Sequence, residues 1–305
     1  MTDRPSNPAA AADDPWERVS VVFVVHNSTG VLRQTIENVR NAHEIIMIDN
    51  QSSDGTADLA ESLCDHIQVI RRNDNLGLTI ASNDGFRRAT KEYVLHINPD
   101  TKFDDDCIRK LVAVMDANPN AAVAGPFMVN GHGTPEMDVQ GPGEIRHAKL
   151  AHDPDGPFCT WFVTGAICLW RTSVLQKLGG FDENIFLYYE DSDLCTRCVE
   201  AGHPLLIEPA ARARHDGGQS GGISMKSRWR KDWNMAWGQL YYECKHGDPE
   251  TARAEGRRRF WKHVGGVLGG ILTFRRKRIV GQLARACGTR RFLKGGPSWN
   301  REGLA

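Results

Sequence analysis

The feature that most constrains this chain is an alternation of two periodicities through its first hundred residues. Val19 to Val25 reads VSVVFVV, a β-branched run that suits a strand buried on both faces. Gly30 to Asn41 then places its apolar residues at helical spacing. The two patterns keep taking turns. Glu44 to Asp49 (EIIMID) reads as strand, Thr56 to Cys64 as helix, Ile67 to Arg71 as strand, Leu76 to Thr90 as helix and Tyr93 to Ile97 as strand. Strands separated by helices cannot pair as hairpins, so the pattern predicts an α/β fold, Rossmann-like, with a mostly parallel sheet and helices on both faces.

In such sheets ligands sit beyond the carboxyl ends of the strands. There the chain offers His26 and Asn27, then Asp49 and Asn50, then Asn98 and Asp100. The first turn, HNSTG, has one glycine where a dinucleotide-binding fingerprint has three, and no G-x-x-x-x-G-K-[ST] loop is present. Phosphates would need another anchor. Asp100, in NPDT after the fourth strand, could hold a divalent cation that in turn holds a diphosphate. It could equally cap a helix beginning near Asp104, and the local residues leave both roles open.

Further on, Phe158 to Trp170 (FCTWFVTGAICLW) is strand-like but broken by Gly165, where a missing side chain lets another backbone or a ligand come close. Phe186 to Arg197 (FLYYEDSDLCTR) sets Glu190, Asp191 and Asp193 directly after an apolar run. Asp193 and Arg197 are spaced to pair on one helix face. Cys195 and Cys198 form a lone C-x-x-C with no second pair to complete a zinc site, and read as buried thiols on that helix.

These motifs together carry a resemblance. VVFVVHN, IDNQSSDGT with Asp49 and Asn50, NLGLTIASNDG at Asn75 to Gly85 and NPD at Asn98 to Asp100 come first. TGA at Thr164 to Ala166, GGFDENIFLYYEDSDLCTR at Gly179 to Arg197 and HDGGQS at His215 to Ser220 follow. In that order and spacing the chain resembles a family 2 glycosyltransferase of the GT-A fold, most like the bacterial rhamnosyltransferase-type branch. Two positions depart from the pattern: Asn98 replaces the first acid of the usual acidic triplet, and Thr79 stands where a glycine is often found.

The resemblance implies a nucleotide-sugar site made of His26, Asn27, Asp49, Asn50, Asn75, Gly77, Asn83 and Asp100. It implies Mn²⁺ or Mg²⁺ held by Asp100 and His215, a donor set that leaves positions for diphosphate oxygens. Asp191 would be the catalytic base of an inverting transfer, with Glu190, Trp161 and Gly165 on the acceptor side. Lys226 and Arg228, in the segment SMKSRWRKDWNMAW after four glycines (Gly217, Gly218, Gly221, Gly222), would approach the phosphates from a lid. The branch suggests dTDP-L-rhamnose as donor. A nucleotidyltransferase on a related sheet lacks support, because no glycine-rich basic loop follows the first strand; a non-catalytic sugar-nucleotide-binding assembly protein remains the alternative.

Charge completes the reading. The chain balances 38 basic against 38 acidic residues, but its end is strongly cationic. Arg257 to Arg278 (RRRFWKHVGGVLGGILTFRRKR) sets a short apolar centre between basic clusters, which reads as an amphipathic helix lying on an anionic membrane surface. No recognised nucleic-acid motif accompanies it, so no nucleic-acid partner is expected. No run approaches the roughly 20 apolar residues of a membrane span, and the first residues lack the order of a signal peptide. The expected organisation is a disordered lead over residues 1–18 and a GT-A domain over 19–245. That domain divides into a nucleotide-sugar half (19–125) and an acceptor half (126–245), and a basic helical tail over 246–305 follows. The expected setting is cytoplasmic, peripheral on the inner face of the cell membrane, acting on a glycan or lipid-linked acceptor; whether the chain self-associates is left open.

Overall fold

The computed structural model describes residues 14–129, 139–141, 144–148, 154–215 and 224–298; for 139–141, 144–148 and 215 only the backbone is described. The expected lead up to residue 13, the HDGGQS motif beyond His215 and the four loop glycines lie outside the described residues.

The alternation read from the sequence is realised. β1 (Val19–Val25), α1 (Thr29–Val39), β2 (Glu44–Asp49), α2 (Thr56–Leu63), β3 (Ile67–Arg71), α3 (Leu78–Arg88) and β4 (Tyr93–Ile97) follow in turn. β1 pairs in parallel with β2 and β4, and β2 with β3. The chain continues through β5 (Thr101–Phe103), α4 (Cys107–Ala117), β6 (Val123–Val129), β7 (Val139–Gly141), β8 (Glu144–Ala148), β9 (Phe158–Thr160), β10 (Ile167–Arg171), α5 (Thr172–Lys177), α6 (Glu190–Glu200) and β11 (Leu205–His215). Here the sheet turns mixed: β10 runs antiparallel to both β4 and β6, while β11 is parallel to β6 and antiparallel to β5 and β9. The order β3-β2-β1-β4-β10-β6-β11-β5, with β9 beside β11, makes one sheet.

Alternate residues of β1 feed two cores. Val19, Val21, Phe23 and Val25 pack with Leu32 and Ile36 of α1 and Leu111 of α4, whereas Val22 packs with Phe86 of α3, Leu175 of α5 and Leu194 of α6. All five β1 residues named are essentially inaccessible, and each contributes about 1.5–3 kcal/mol of hydrophobic stabilisation, which is why this run cannot be a surface strand.

The lead is ordered earlier than expected. From Asp14 the chain forms a tight turn over Pro15–Arg18, capped by Asp14, because Trp16 is buried in the first core. Arg18 then spans Glu92 and Asp116, each at 2.7 Å.

The C-terminal region also differs from a single surface helix. α7 (Met225–His246), α8 (Pro249–Leu272) and α9 (Arg276–Leu293) form a packed helical unit. Trp233, Trp237 and Leu240 of α7 meet Ala284 and Phe292 of α9 and Ile185 of the preceding domain. The helix expected across Arg257–Arg278 is broken at Thr273–Arg275. Arg275 N–H reaches back to Gly270 C=O at 3.0 Å and Phe274 N–H to Ile271 C=O at 3.1 Å, the hydrogen-bond pattern that closes a helix with a left-handed residue. That residue is Phe274, at φ +51°. No described helix is long and apolar enough to cross a membrane.

Candidate active site

Each site position is set by a strand end. His26 follows β1 and its Nδ1 donates to Asn50 C=O at 2.9 Å; a carbonyl can only accept, so the proton sits on Nδ1. Asn27 is exposed at φ +52° and its side-chain oxygen accepts from Ser53 N–H at 2.9 Å. Asp49 is buried and accepts from Ser52 N–H at 3.0 Å. Asn50, also buried, donates to Asn75 Oδ1 at 3.0 Å and to Gly77 C=O at 3.1 Å, while its own Oδ1 has no partner among the described residues.

Gly77 shows why the third crossover needs a glycine. It sits at φ +99°, and a Cβ there would lie 2.5 Å from Phe186 C=O. That carbonyl instead accepts from Leu78 N–H at 2.8 Å. Thr79 donates to Ile185 C=O at 2.5 Å, so the threonine that departs from the family pattern holds the same segment. Asn83 clamps Phe181 from both sides, donating to its carbonyl and accepting from its N–H, each at 2.9 Å. Its amide is therefore spent on joining α3 to the GGFDE turn.

Asp100 is buried, and it precedes β5 rather than capping a helix, since α4 starts only at Cys107. The NPD turn is fastened by Asn98 N–H to Ala166 C=O at 2.8 Å, by Thr101 Oγ1 to the same carbonyl at 2.9 Å, and by Thr35 to Pro99 C=O. The register of β5 and β11 sets His215 directly opposite Thr101. Asp100 therefore lies one residue before the β5 position that pairs with His215.

The two acids of the opening turn of α6 have unlike surroundings. Asp191 Oδ2 accepts from Gly165 N–H at 3.1 Å, and Oδ1 from Ser192 N–H at 2.8 Å. A Cβ on Gly165 would lie 3.4 Å from Asp191 Cβ, so what approaches the bare glycine is Asp191 itself. Glu190 is buried, and its Oε2 has no partner among the described residues. Burial raises both carboxyl groups above their ordinary range, and the Asp191 charge raises Glu190 further. Backbone N–H groups bond both carboxyls, but both oxygens of Asp191 are engaged whereas Glu190 Oε2 is not. With the Asp191 charge added to its burial, Glu190 holds the proton of the pair more tightly than Asp191 does.

Asp193 differs from both. Burial works against its charge, but His246 at 2.8 Å, Arg197 at 2.8 Å and Lys245 at 2.6 Å hold its carboxyl down at about 2. The i,i+4 pair read from the sequence is there, and it ties α6 to the end of α7. Cys195 and Cys198 are buried on α6 with their thiols pushed upward by burial.

Sequence reasoning missed Tyr188. It and Tyr189 adopt φ +68° and φ +76° in succession, a strained conformation for bulky residues. Burial pushes the Tyr188 phenol up to about 12, helped by the charges that Glu190, Asp232 and Asp100 carry at that alkaline pH. Arg230 lies 5.9 Å over the Phe186 ring. No local sequence signal marks these positions, because the contacts join α7 to the 180s. Trp161 stands half exposed between β9 and β10, and Lys226 and Arg228 are exposed on the first turn of α7, with Arg228 3.7 Å from Asp232.

Comparison with known proteins bears on the fold and the family. The chain is 27% identical over 208 residues to an N-acetylglucosaminyl-diphospho-decaprenol L-rhamnosyltransferase of Mycobacterium tuberculosis, covering 58% of this chain and 68% of that one. It is 27% identical over 209 residues to a pre-mycofactocin glycosyltransferase of the same organism, covering 65% of this chain but only 42% of that longer protein. The chain thus spans less than half the length of that relative. Among solved structures, a mannosyltransferase of Pyrobaculum calidifontis in complex with GDP-Man and Mn²⁺ superposes with TM-score 0.58 at 16% identity, covering 93% of this chain and 88% of that one. The S. aureus TarS 1–349 fragment with UDP-GlcNAc superposes with TM-score 0.52 at 12% identity, covering 92% of each chain. The fold is therefore GT-A. The model of the family described as glycosyl transferase family 2 matches residues 20–179, from the first strand to the turn that Asn83 clamps. That match runs through more than half of the chain, and the protein belongs to glycosyl transferase family 2.

Proposed function

We propose that this protein transfers a sugar, L-rhamnose from dTDP-L-rhamnose, to a lipid-linked glycan acceptor with inversion at the anomeric carbon. The observation that carries the reading is Asp191 on the first turn of α6, beside Glu190, with its Oδ2 fixed by Gly165 N–H at 3.1 Å. An ionised carboxylate with a raised proton affinity is what a general base for an acceptor hydroxyl requires. Its neutral neighbour, Glu190, donates or accepts a hydrogen bond to the acceptor without adding a second buried charge.

The strand-end residues His26, Asn27, Asp49, Asn50 and Asn75 form the proposed nucleoside site, with Gly77 supporting it by admitting the Phe186 segment. The donor set at the NPD turn fits a hard divalent cation: a buried carboxylate, Asp100, beside the strand position of His215. Mn²⁺ or Mg²⁺ bound there would neutralise the diphosphate as it leaves. Lys226 and Arg228 approach from α7. Trp161 and Gly165 border the acceptor side, Trp161 as an exposed aromatic face and Gly165 by fixing Asp191.

The rhamnosyltransferase relative supports the donor and the lipid-linked acceptor. The cationic C-terminal helices support work at an anionic membrane surface, on the cytoplasmic face where nucleotide sugars are made. The residues 19–245 would then serve as the transferase domain and the helices after it as the membrane-facing unit. Incubation with dTDP-L-rhamnose and polyprenyl-diphosphate-linked sugars, followed by mass spectrometry of the lipid product, tests the reading. Addition of one deoxyhexose supports it; addition of a different sugar from another donor replaces the donor but keeps the transfer.

A further inference from the structure

A cavity of about 690 Å³ opens between α7 and the α8–α9 turn, and of its lining only Arg228 enters the catalytic reading. Arg228 of α7, Arg275, Arg276, Lys277 and Arg278 at the α8–α9 turn, and Arg285 of α9 line it, against one acid, Asp232. Asp232 is already engaged: Arg285 bonds it at 2.8 Å and Arg228 stands 3.7 Å away. Arg275, Arg276, Lys277 and Arg278 have no acidic partner among the described residues. So many uncompensated cations around one concavity repel one another unless an anion enters.

An exposed apolar stretch of α8 leads into that cavity. Phe274, which lines it, is 91% exposed, and Leu272, Ile271 and Leu268 beside it are 80%, 52% and 59% exposed. Phe274 also holds the left-handed position that closes α8, where glycine is the ordinary occupant. A bulky aromatic kept in strained backbone and left in water gains nothing for the fold. It gains when it enters an apolar phase. α7 joins the cavity to the reacting segment: Arg228 and Asp232 line the cavity, and Lys231 of the same helix stands 6.0 Å over the Tyr188 ring.

We infer that this cavity holds the phosphate or diphosphate group of a membrane lipid, the head of the lipid-linked acceptor, while Leu268, Ile271, Leu272 and Phe274 dip into the acyl region. The inference rests on the transferase reading for the word acceptor. The anchoring follows from charge and exposure alone. A phosphate group held between cations of α7 and the α8–α9 turn fixes one end of the acceptor, and the sugar it carries extends past Tyr188 toward Glu190 and Asp191.

Sedimentation of the full chain with phosphatidylcholine vesicles, with and without phosphatidic acid, tests this together with titration of inorganic pyrophosphate. The wild type should bind the phosphatidic acid vesicles and pyrophosphate but not plain phosphatidylcholine. Arg276→Gln with Lys277→Gln should weaken vesicle binding by roughly thirtyfold, as expected for two surface cations, and weaken pyrophosphate binding as well. Ile271→Ser with Leu272→Ser should weaken vesicle binding and leave pyrophosphate affinity unchanged. Pyrophosphate binding without vesicle binding would mean a site for a free phosphate and overturn the inference, as would vesicle binding insensitive to either variant. Metal-dependent nucleoside diphosphate binding, measured on the same samples, separates the outcomes. If it is retained and vesicle binding is absent, only this inference fails; if it is absent and vesicle binding is present, only the transferase reading fails.

Discussion

Asp191 Oδ2 accepts a hydrogen bond from the backbone N–H of Gly165 at 3.1 Å, joining the first turn of α6 to the segment that leads into β10. That bond holds the proposed base in one orientation and favours its anion. Replacing Asp191 with Asn keeps the shape and removes the proton acceptor. Transfer should fall by two to four orders of magnitude, roughly the worth of general base catalysis, while nucleoside diphosphate affinity stays near the wild-type value. Steady-state kinetics beside a nucleotide titration check this, and retained turnover would remove Asp191 from the role.

Glu190 carries the proton of the pair. A buried carboxyl with a raised pKa binds its proton in the folded state after the unfolded chain has released its own. Wild-type stability is therefore lost as pH rises from the ordinary carboxylate value of about 4.3 toward the folded one. Glu190→Gln has no such proton to lose. Its melting temperature relative to the wild type should climb as pH is raised through the weakly acid range, and a constant difference would show that Glu190 is not held neutral.

Asp193 has the opposite sign. Its carboxyl, held at about 2, contributes stability that is fully present above about pH 4 and is lost as pH falls toward 2. Asp193→Asn leaves Arg197, Lys245 and His246 without their shared buried partner and should cost about 3 kcal/mol at neutral pH. The gap between variant and wild type should narrow in acid, which chemical denaturation at several pH values would reveal.

The local pairing of Asp193 with Arg197 was legible because both sit on one helix, four residues apart. Lys245 and His246 were not, because about fifty residues intervene and only the packing of α7 returns them. The same contrast runs through the fold. β1, β2 and β4 announce themselves by continuous apolar runs, since strands buried on both faces leave no room for polar alternation. The break at Phe274 is silent, because an aromatic in left-handed backbone has no sequence signature where a glycine would. In the candidate site, the acids at 190 and 191 were visible as charges against an apolar run, but their division into neutral and ionised depends on Gly165 N–H, which only the tertiary structure supplies. The resemblance implies a nucleotide-sugar role for Asn83, and the structure engages its amide with Phe181.

Phe274→Gly relieves the left-handed strain and should raise stability by about 1 kcal/mol while lowering affinity for phosphatidic acid vesicles. Thermal melts paired with sedimentation would show opposite shifts in the two quantities. A variant that melts lower would mean that the exposed ring supports the fold.

Asp100→Ala removes the buried carboxylate of the NPD turn, and His215→Ala the imidazole at the strand position paired with Thr101. Either change should weaken donor binding only when a divalent cation is present, since neither residue is proposed to touch the nucleoside. Calorimetric titration with and without Mn²⁺ distinguishes a lost metal ligand from a lost nucleotide contact.

The most direct measurement is the thermal midpoint of the wild-type protein with dTDP, with Mn²⁺, and with both together, because a ligand that binds only the folded state raises it. The account predicts a clear rise with both and little with either alone, repeated with dTDP-L-rhamnose. An equal rise with and without metal would contradict the proposed role of Asp100 and His215, and no rise with any nucleoside diphosphate or nucleotide sugar would contradict the nucleotide-sugar site itself.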